Sequence, residues 1–182
     1  MQNRIRIAYI GFCLIAVTVY AKDLTDGYSD TQWGQSKADA MAAHRDLVET
    51  ERETLLRRNG KPGELIQQTE YKFVDDQLFE VRVYIAMPDA PADRLDNDGL
   101  KFVKEQLAAK YDGDREKLVE AGITVMAQHG GPGTVAVIYL NTTIQQAAVE
   151  RRRAAATAAA ERAFRESPRY QRLQQAGIKD LL

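Results

Sequence analysis

The residues of this chain that could do chemistry are few and widely spaced. The histidines are His44 and His129, the serines Ser29, Ser36 and Ser167, and the one cysteine is Cys13. Metal sites need His, Cys, Asp or Glu gathered at ligand spacing. His44 falls on a predicted amphipathic helix and His129 beside a predicted turn, so each reads as a surface or half-buried imidazole, and no cofactor is expected. Asp93, Asp96 and Asp98 could offer oxygens to calcium. They lack the glutamate spacing of an EF-hand loop, and the capping of a helix start explains them better. Nucleophilic catalysis needs a hydroxyl or thiol activated by a base. The serines sit in a linker, at a helix cap and at a helix end, and no Gly-x-Ser-x-Gly elbow occurs. Asp75-Asp76 stand at a turn tip, not on opposite sides of a cleft. The reading is a protein that is not an enzyme. The alternative is a hydrolase-type enzyme whose cleft is built from carboxylates and tyrosines such as Tyr71, Tyr84 and Tyr139.

Binding chemistry is better represented. Residues 22–149 carry 15 basic and 22 acidic residues, a net of −7, whereas residues 150–182 carry 8 basic and 4 acidic, a net of +4. Arg151, Arg152 and Arg153 are consecutive, so on a helix they fan out and cannot form one stripe. Nucleic acid is therefore not expected as a partner. The tail also lacks the bulky apolar face of an interfacial membrane helix. A thin stripe of alanine with Phe164 suits docking on an acidic protein partner or on a second copy. Trp33, the only tryptophan, reads as a packing anchor before a helix or as an exposed aromatic for a partner. The candidate partner-binding residues are Trp33, Arg151, Arg152, Phe164 and Tyr170.

The elements that must position these residues follow from periodicity. Residues 1–21 have Arg4 and Arg6, an apolar run over 7–20, and small residues at Val19 and Ala21. That is the three-part pattern of a cleaved signal peptide. It places the protein in the periplasm or outside the cell, and membrane association is expected only if residues 1–21 are retained as an anchor. Phe12 before Cys13 argues against a lipidated cysteine. Residues 22–32 read as a polar linker. Ser36 caps a helix predicted over 37–58, with Met41, Val48 and Leu55 on its apolar stripe and Asn59-Gly60 as its stop.

A hairpin follows at 64–87. Tyr71 and Phe73 lie on one face and Glu70 and Lys72 on the other. Beyond Asp75-Asp76-Gln77, Phe79, Val81, Val83 and Ile85 alternate with Glu80, Arg82 and Tyr84. Pro88 and Pro91 mark a loop. A helix is expected from the stretch 93–98 to 111, with Leu100, Val103, Leu107 and Tyr111 inward, and a short helical turn over 114–121. The second hairpin has strands from 123 and from 135, joined by Gly130-Gly131-Pro132-Gly133. These glycines serve the turn, since glycine tolerates positive φ; a phosphate-binding loop would lead into a helix instead. Residues 144–166 form a long alanine-rich helix, and 169–182 a last short one.

The order of Trp33-Gly34 with Ser36, Tyr71-Lys72-Phe73, Leu78 with Val81, and Leu107 with Lys110-Tyr111 resembles a loose group of small exported bacterial proteins of unassigned function. Those proteins share a Trp-Gly helix start, an aromatic-x-Phe strand, a Leu-x-x-Val strand and a helix ending Leu-x-x-Lys-Tyr-Gly. Here Asp112 intervenes before Gly113. The resemblance covers residues 33–143 and implies a compact α+β domain, with no catalytic residues to carry over. The expected architecture is α+β, in the order α-β-β-α-β-β. Two hairpins form a four-stranded antiparallel sheet with two helices on one face, and a long helical appendage occupies 144–182. The expected function is a non-catalytic binding, assembly or accessory protein of the bacterial envelope. A membrane-anchored subunit that keeps residues 1–21 is the further alternative.

Overall fold

The computed structural model describes residues 23–50, 55–61, 63–90 and 93–175, with the side chains of residues 55, 56 and 175 left out. The proposed signal segment with Cys13, and the end of the last predicted helix with Ile178, lie outside the described residues. The described chain divides into two units, one through Gln145 and one from Gln146.

The first unit is α+β, but its sheet has six antiparallel strands where four were expected. The order across the sheet is β1 (Val48–Glu49), β2 (Leu55–Asn59), β3 (Ile66–Val74), β4 (Gln77–Ala86), β6 (Thr134–Asn141) and β5 (Ile123–Gly131). Both expected hairpins are present, β3–β4 and β5–β6, and they join through β4 against β6. The two further strands come from the stretch read as one long helix. That helix, α1, spans only Lys37–Ala43. Ser36 caps it, accepting a hydrogen bond from the Asp39 N–H at 3.0 Å. It ends at His44, whose backbone is extended (φ −126°, ψ 96°). Met41 and Val48, the supposed inward stripe, are instead 38% and 59% exposed, while Ala40 and Leu47 enter the core. The physical reason is the open edge of β3. Its backbone groups need a partner, and residues 55–59 satisfy them over the register Leu55↔Lys72 to Asn59↔Gln68.

Residues 23–32 are likewise part of the body, not a loose linker. Leu24 and Thr31 are buried. The Gly34 N–H donates to the Leu78 carbonyl at 2.9 Å, and the Leu78 N–H donates to Gln35 at 3.0 Å. Backbone pairing at Gly34 and Gln35, directly after this segment, ties the chain to the start of β4.

The core gathers on one face of the sheet. Tyr71, Leu78, Val81, Val83, Val135, Val137 and Tyr139 pack with Ala40 of α1, with Val103 and Leu107 of α2 (Asn97–Tyr111), and with Leu118 of α3 (Arg115–Glu120). The four-residue spacing of Gly99, Val103 and Leu107 puts them on one stripe of α2. Gly99 permits a close approach, because a Cβ there would stand 2.4 Å from Asp96 Oδ2. Phe79, expected inward, is the bulge residue. Phe73 pairs with Leu78 and Lys72 with Glu80, so Phe79 has no opposite number and Leu78 takes the core position. Asp75 and Asp76 close β3 to β4 with φ of +50° and +59°, the backbone of a two-residue type I′ turn.

Strand β6 passes straight into the long helix α4 (Thr142–Glu166). Asn141 Oδ1 accepts from the Ile144 N–H at 3.0 Å, so the residues expected to close the strand also start the helix. In the second unit α4 continues and is followed by α5 (Pro168–Gln175).

Candidate functional site

Side chains on β2, β3 and β4 that point away from the core form a charged band. The alternation that sends Tyr71 inward sends Glu70 and Lys72 outward, and the register sets Glu70 opposite Arg82 and Lys72 opposite Glu80. Each carboxylate therefore faces a cation across the ladder. Glu70 accepts from Arg57 Nη2 at 3.2 Å, from Tyr84 OH at 3.1 Å and from the Gln68 side-chain amide. Glu80 accepts from Arg82 Nη2 at 2.7 Å and Nε at 3.1 Å, and its Oε1 forms an ion pair with Lys72 Nζ at 2.9 Å. Both glutamates are largely buried, 7% and 8% exposed, so these partners supply the hydrogen bonds that water otherwise would. The contacts on Glu70 use both of its oxygens and those on Glu80 use Oε1, so the two glutamates tie β2, β3 and β4 together on this face.

Beside the band the same face turns apolar. Ile138 stands opposite Arg82 on one side and Met126 on the other, and Leu140 stands opposite Glu80. Ile138 is buried and Met126 is 41% exposed.

The tyrosines named for a cleft do not share one. Tyr71 and Tyr139 are in the helix-covered core, each 1% exposed, whereas Tyr84 is in the band on the opposite face. Burial pushes the Tyr71 phenol up to about 12. It also drives Tyr139 well above the ordinary phenol value, and it raises Tyr28 and Tyr111. Tyr28 packs on Tyr139 with ring centroids 4.6 Å apart. A phenol held in its neutral form this strongly is a packing group with a polar tip, not a nucleophile at neutral pH.

His44, expected at the surface or half-buried on a helix, is a buried capping residue. Its ring stacks on Tyr71 at 6.1 Å, and Asp30 Oδ1 stands 3.1 Å from Nε2 without hydrogen-bond geometry. His129 Nε2 meets Asn97 Oδ1 at 3.1 Å, linking β5 to the first residue of α2. Asp96 caps α2 by accepting from the Gly99 N–H at 2.9 Å. Among the described residues no three His, Cys, Asp or Glu side chains gather as a metal-holding group.

The candidate partner-binding residues fall in two places. Trp33 belongs to the first unit. Its Nε1–H donates to the Leu24 carbonyl at 2.8 Å, and its ring lines an open depression of about 380 Å³ with Thr25, Asp26, Thr31 and Gln32. Arg151, Arg152, Phe164 and Tyr170 belong to the second unit. There Phe164 meets Tyr170 edge-on at 5.4 Å across the α4–α5 junction, where Ser167 Oγ accepts from the Tyr170 N–H at 3.2 Å. The charged band was not singled out from sequence. Its signal was the outward half of the strand alternation, Glu70 and Lys72 with Glu80, Arg82 and Tyr84. The register that pairs them could not be read from the residues alone.

Comparison with protein-family models, with curated proteins and with solved structures finds no match to this chain.

Proposed function

We propose that this protein is a non-catalytic binding or assembly module of the bacterial envelope, and that its C-terminal helices take a protein partner or a second copy. The observation that carries the reading is the make-up of the second unit. α4 has 25 residues, yet the aromatic contact within the unit is a single pair, Phe164 with Tyr170. A helix of that length, about 37 Å, built largely of alanine and arginine, has little apolar area of its own to bury. Val149 and Phe164 are 61% and 42% exposed. Covering them against another chain supplies the missing area. Arg151 and Arg152 favour an acidic counterpart. Export rests on the pattern of residues 1–21.

A photo-crosslinking residue placed at Phe164, or at Tyr170, in the producing cell tests this. The expected result is one defined adduct, to a partner or to the chain itself, weakened by Arg151→Glu with Arg152→Glu. Absence of any adduct at both positions, or substrate turnover by the purified protein, overturns it. Mass spectrometry of the isolated chain tests export separately: Lys22 at the N-terminus is expected, and an intact Met1 opposes it.

A further inference from the structure

The sheet ends on two unlike edges. β1 is two residues long, and its Glu49 is held in an ion pair with Lys37. A short, charged strand is a poor template for pairing. β5 is nine residues long, ITVMAQHGG, and among the described residues it is paired on one side only, to β6. It has no Lys, Arg, Asp, Glu or Pro, the residues that natural sheets use to blunt an edge. Its one irregularity is confined to the end, between His129 and Gly131. Among the described residues no backbone hydrogen bond from a loop or helix reaches residues 123–131.

We propose that β5 pairs antiparallel with β5 of a second copy across a two-fold axis, joining the two sheets into one. The residues of the strand favour a second copy as the occupant. Two-fold pairing sets a strand against itself, so any charge on it would meet its own kind; this strand has none to repel. With the axis at Met126, Thr124 faces Gln128 of the other copy and Val125 faces its Ala127. On one face of the joined sheet Thr124 meets Gln128 on either side of Met126; on the other Val125 meets Ala127, and Ile123 meets the His129 ring at the end of the paired stretch. Met126, 41% exposed in the single chain, packs on its own counterpart at the axis. One strand pair covers less than the roughly 1,600 Å² of a standard interface, so the dimer dissociates on dilution. The proposal does not rest on the helix reading, and its test is separate from that one.

Sedimentation velocity of the purified full chain over a range of concentrations should show a monomer–dimer equilibrium. Met126→Lys sets two like charges on directly opposed positions at the axis, their Cβ atoms about 5 Å apart, and should raise the dimer dissociation constant at least tenfold, with an unchanged far-UV spectrum. A second measurement does not depend on that variant folding. With Cys13→Ser as background, Met126→Cys should form a disulfide-linked dimer under mild oxidation. Thr124→Cys should not, because its counterpart stands about 13 Å away along the paired strands. A monomer at every concentration overturns the proposal, as does a dimer indifferent to Met126→Lys, or crosslinking by Thr124→Cys as ready as that by Met126→Cys. A dimer that survives Met126→Lys but is lost on changing Phe164 overturns edge pairing and leaves the helix reading standing.

Discussion

Asp76 Oδ1 accepts a hydrogen bond from the Lys37 backbone N–H at 3.0 Å, so the turn of the central hairpin caps the first helix from 39 residues away in sequence. α1 is too short to be stable on propensity alone. It is held by Ser36 at its start, by Ala40 in the core, and by this carboxylate, which also favours the positive end of the helix dipole. Asp76 has φ of +59°, a conformation that Asp and Asn adopt more readily than other non-glycine residues. Asp76→Ala loses the cap and keeps the strained backbone, and should cost about 1–2 kcal/mol in urea denaturation. Asp76→Asn retains an acceptor and the turn preference, and should cost about half as much or less. Equal losses from both would show that the cap contributes nothing.

Glu70 holds together three elements of the charged band: Arg57 of β2, Gln68 of β3 and Tyr84 of β4. Glu70→Ala strands these donors at a site only 7% exposed, and should destabilise the protein by about 2–3 kcal/mol. Tyr84→Phe alone should cost about 1 kcal/mol. In a double-mutant cycle the two should be coupled by about 1 kcal/mol, because the second change removes a group the first has already left unpaired. Strict additivity would mean that the 3.1 Å contact is not formed in solution.

The same network shows how far the chain could be read in advance. The alternation from Glu70 to Ile85 separated the charged face from the core face correctly at Glu70, Tyr71, Lys72, Glu80, Val81, Arg82 and Val83. It failed at Phe79, because a bulge inserts one residue and no residue type announces it. The stretch 44–59 failed more completely. Leu55-Leu56-Arg57-Arg58 are good helix formers with no strand alternation, and Met41, Val48 and Leu55 repeat every seven residues. What makes a strand of residues 55–59 lies elsewhere, in the unpaired edge of β3, so tertiary demand overrides local preference. α2 was legible because its cap, stripe and stop all lie within it. The His44–Tyr71 stack was not, since its partners are 27 positions apart and on different elements.

The buried tyrosines make stability sensitive to alkali. Tyr71 is raised from 10.0 to about 12 by burial, and Tyr28, Tyr111 and Tyr139 are raised too. The folded state holds these protons more tightly than the unfolded chain does. The contribution of Tyr71 is therefore complete below pH 10 and is lost as pH rises from 10 through 12, and those of Tyr28 and Tyr139 persist to more alkaline pH. Tyr71 alone accounts for about 3 kcal/mol over that span, at about 1.4 kcal/mol per pH unit. Unfolding followed by far-UV circular dichroism should coincide with a cooperative rise in tyrosinate absorbance. Gradual ionisation with the fold intact would contradict the burial of these phenols.

At the acid end the responsive pair is Asp23 with Lys117. The Lys117 ammonium is the main influence and Thr25 the next, and together they hold the Asp23 carboxyl down at about 2 against its usual 3.8. The contribution of the pair is present above pH 4 and lost as pH falls through 2. Both groups are on the surface, so salt screens the interaction. The direct measurement is therefore the Asp23 carboxyl titration by NMR. It should give a midpoint near 2 at low salt, moving up towards 3.8 in concentrated salt or in Lys117→Met.

Trp33 separates packing from recognition within one side chain. Its indole N–H is committed to the Leu24 carbonyl, and its ring is half-buried against the core. Trp33→Phe removes the hydrogen bond while keeping an aromatic ring, and should cost about 1–2 kcal/mol. The loss should be largely shared with Leu24→Ala in a double-mutant cycle, because each change loosens the same loop over the core. If Trp33 served mainly to hold a partner in the 380 Å³ depression beside it, Trp33→Phe would instead leave urea stability within about 0.5 kcal/mol of the parent and weaken capture of that partner. As the only tryptophan it also reports on itself: its fluorescence should shift to the red in the same urea transition that melts the sheet, since Gly34 and Gln35 beside it are tied by backbone hydrogen bonds to Leu78 of β4. An earlier, separate red shift would mean that the N-terminal segment detaches before the body unfolds, and would return Trp33 to the role of a surface aromatic.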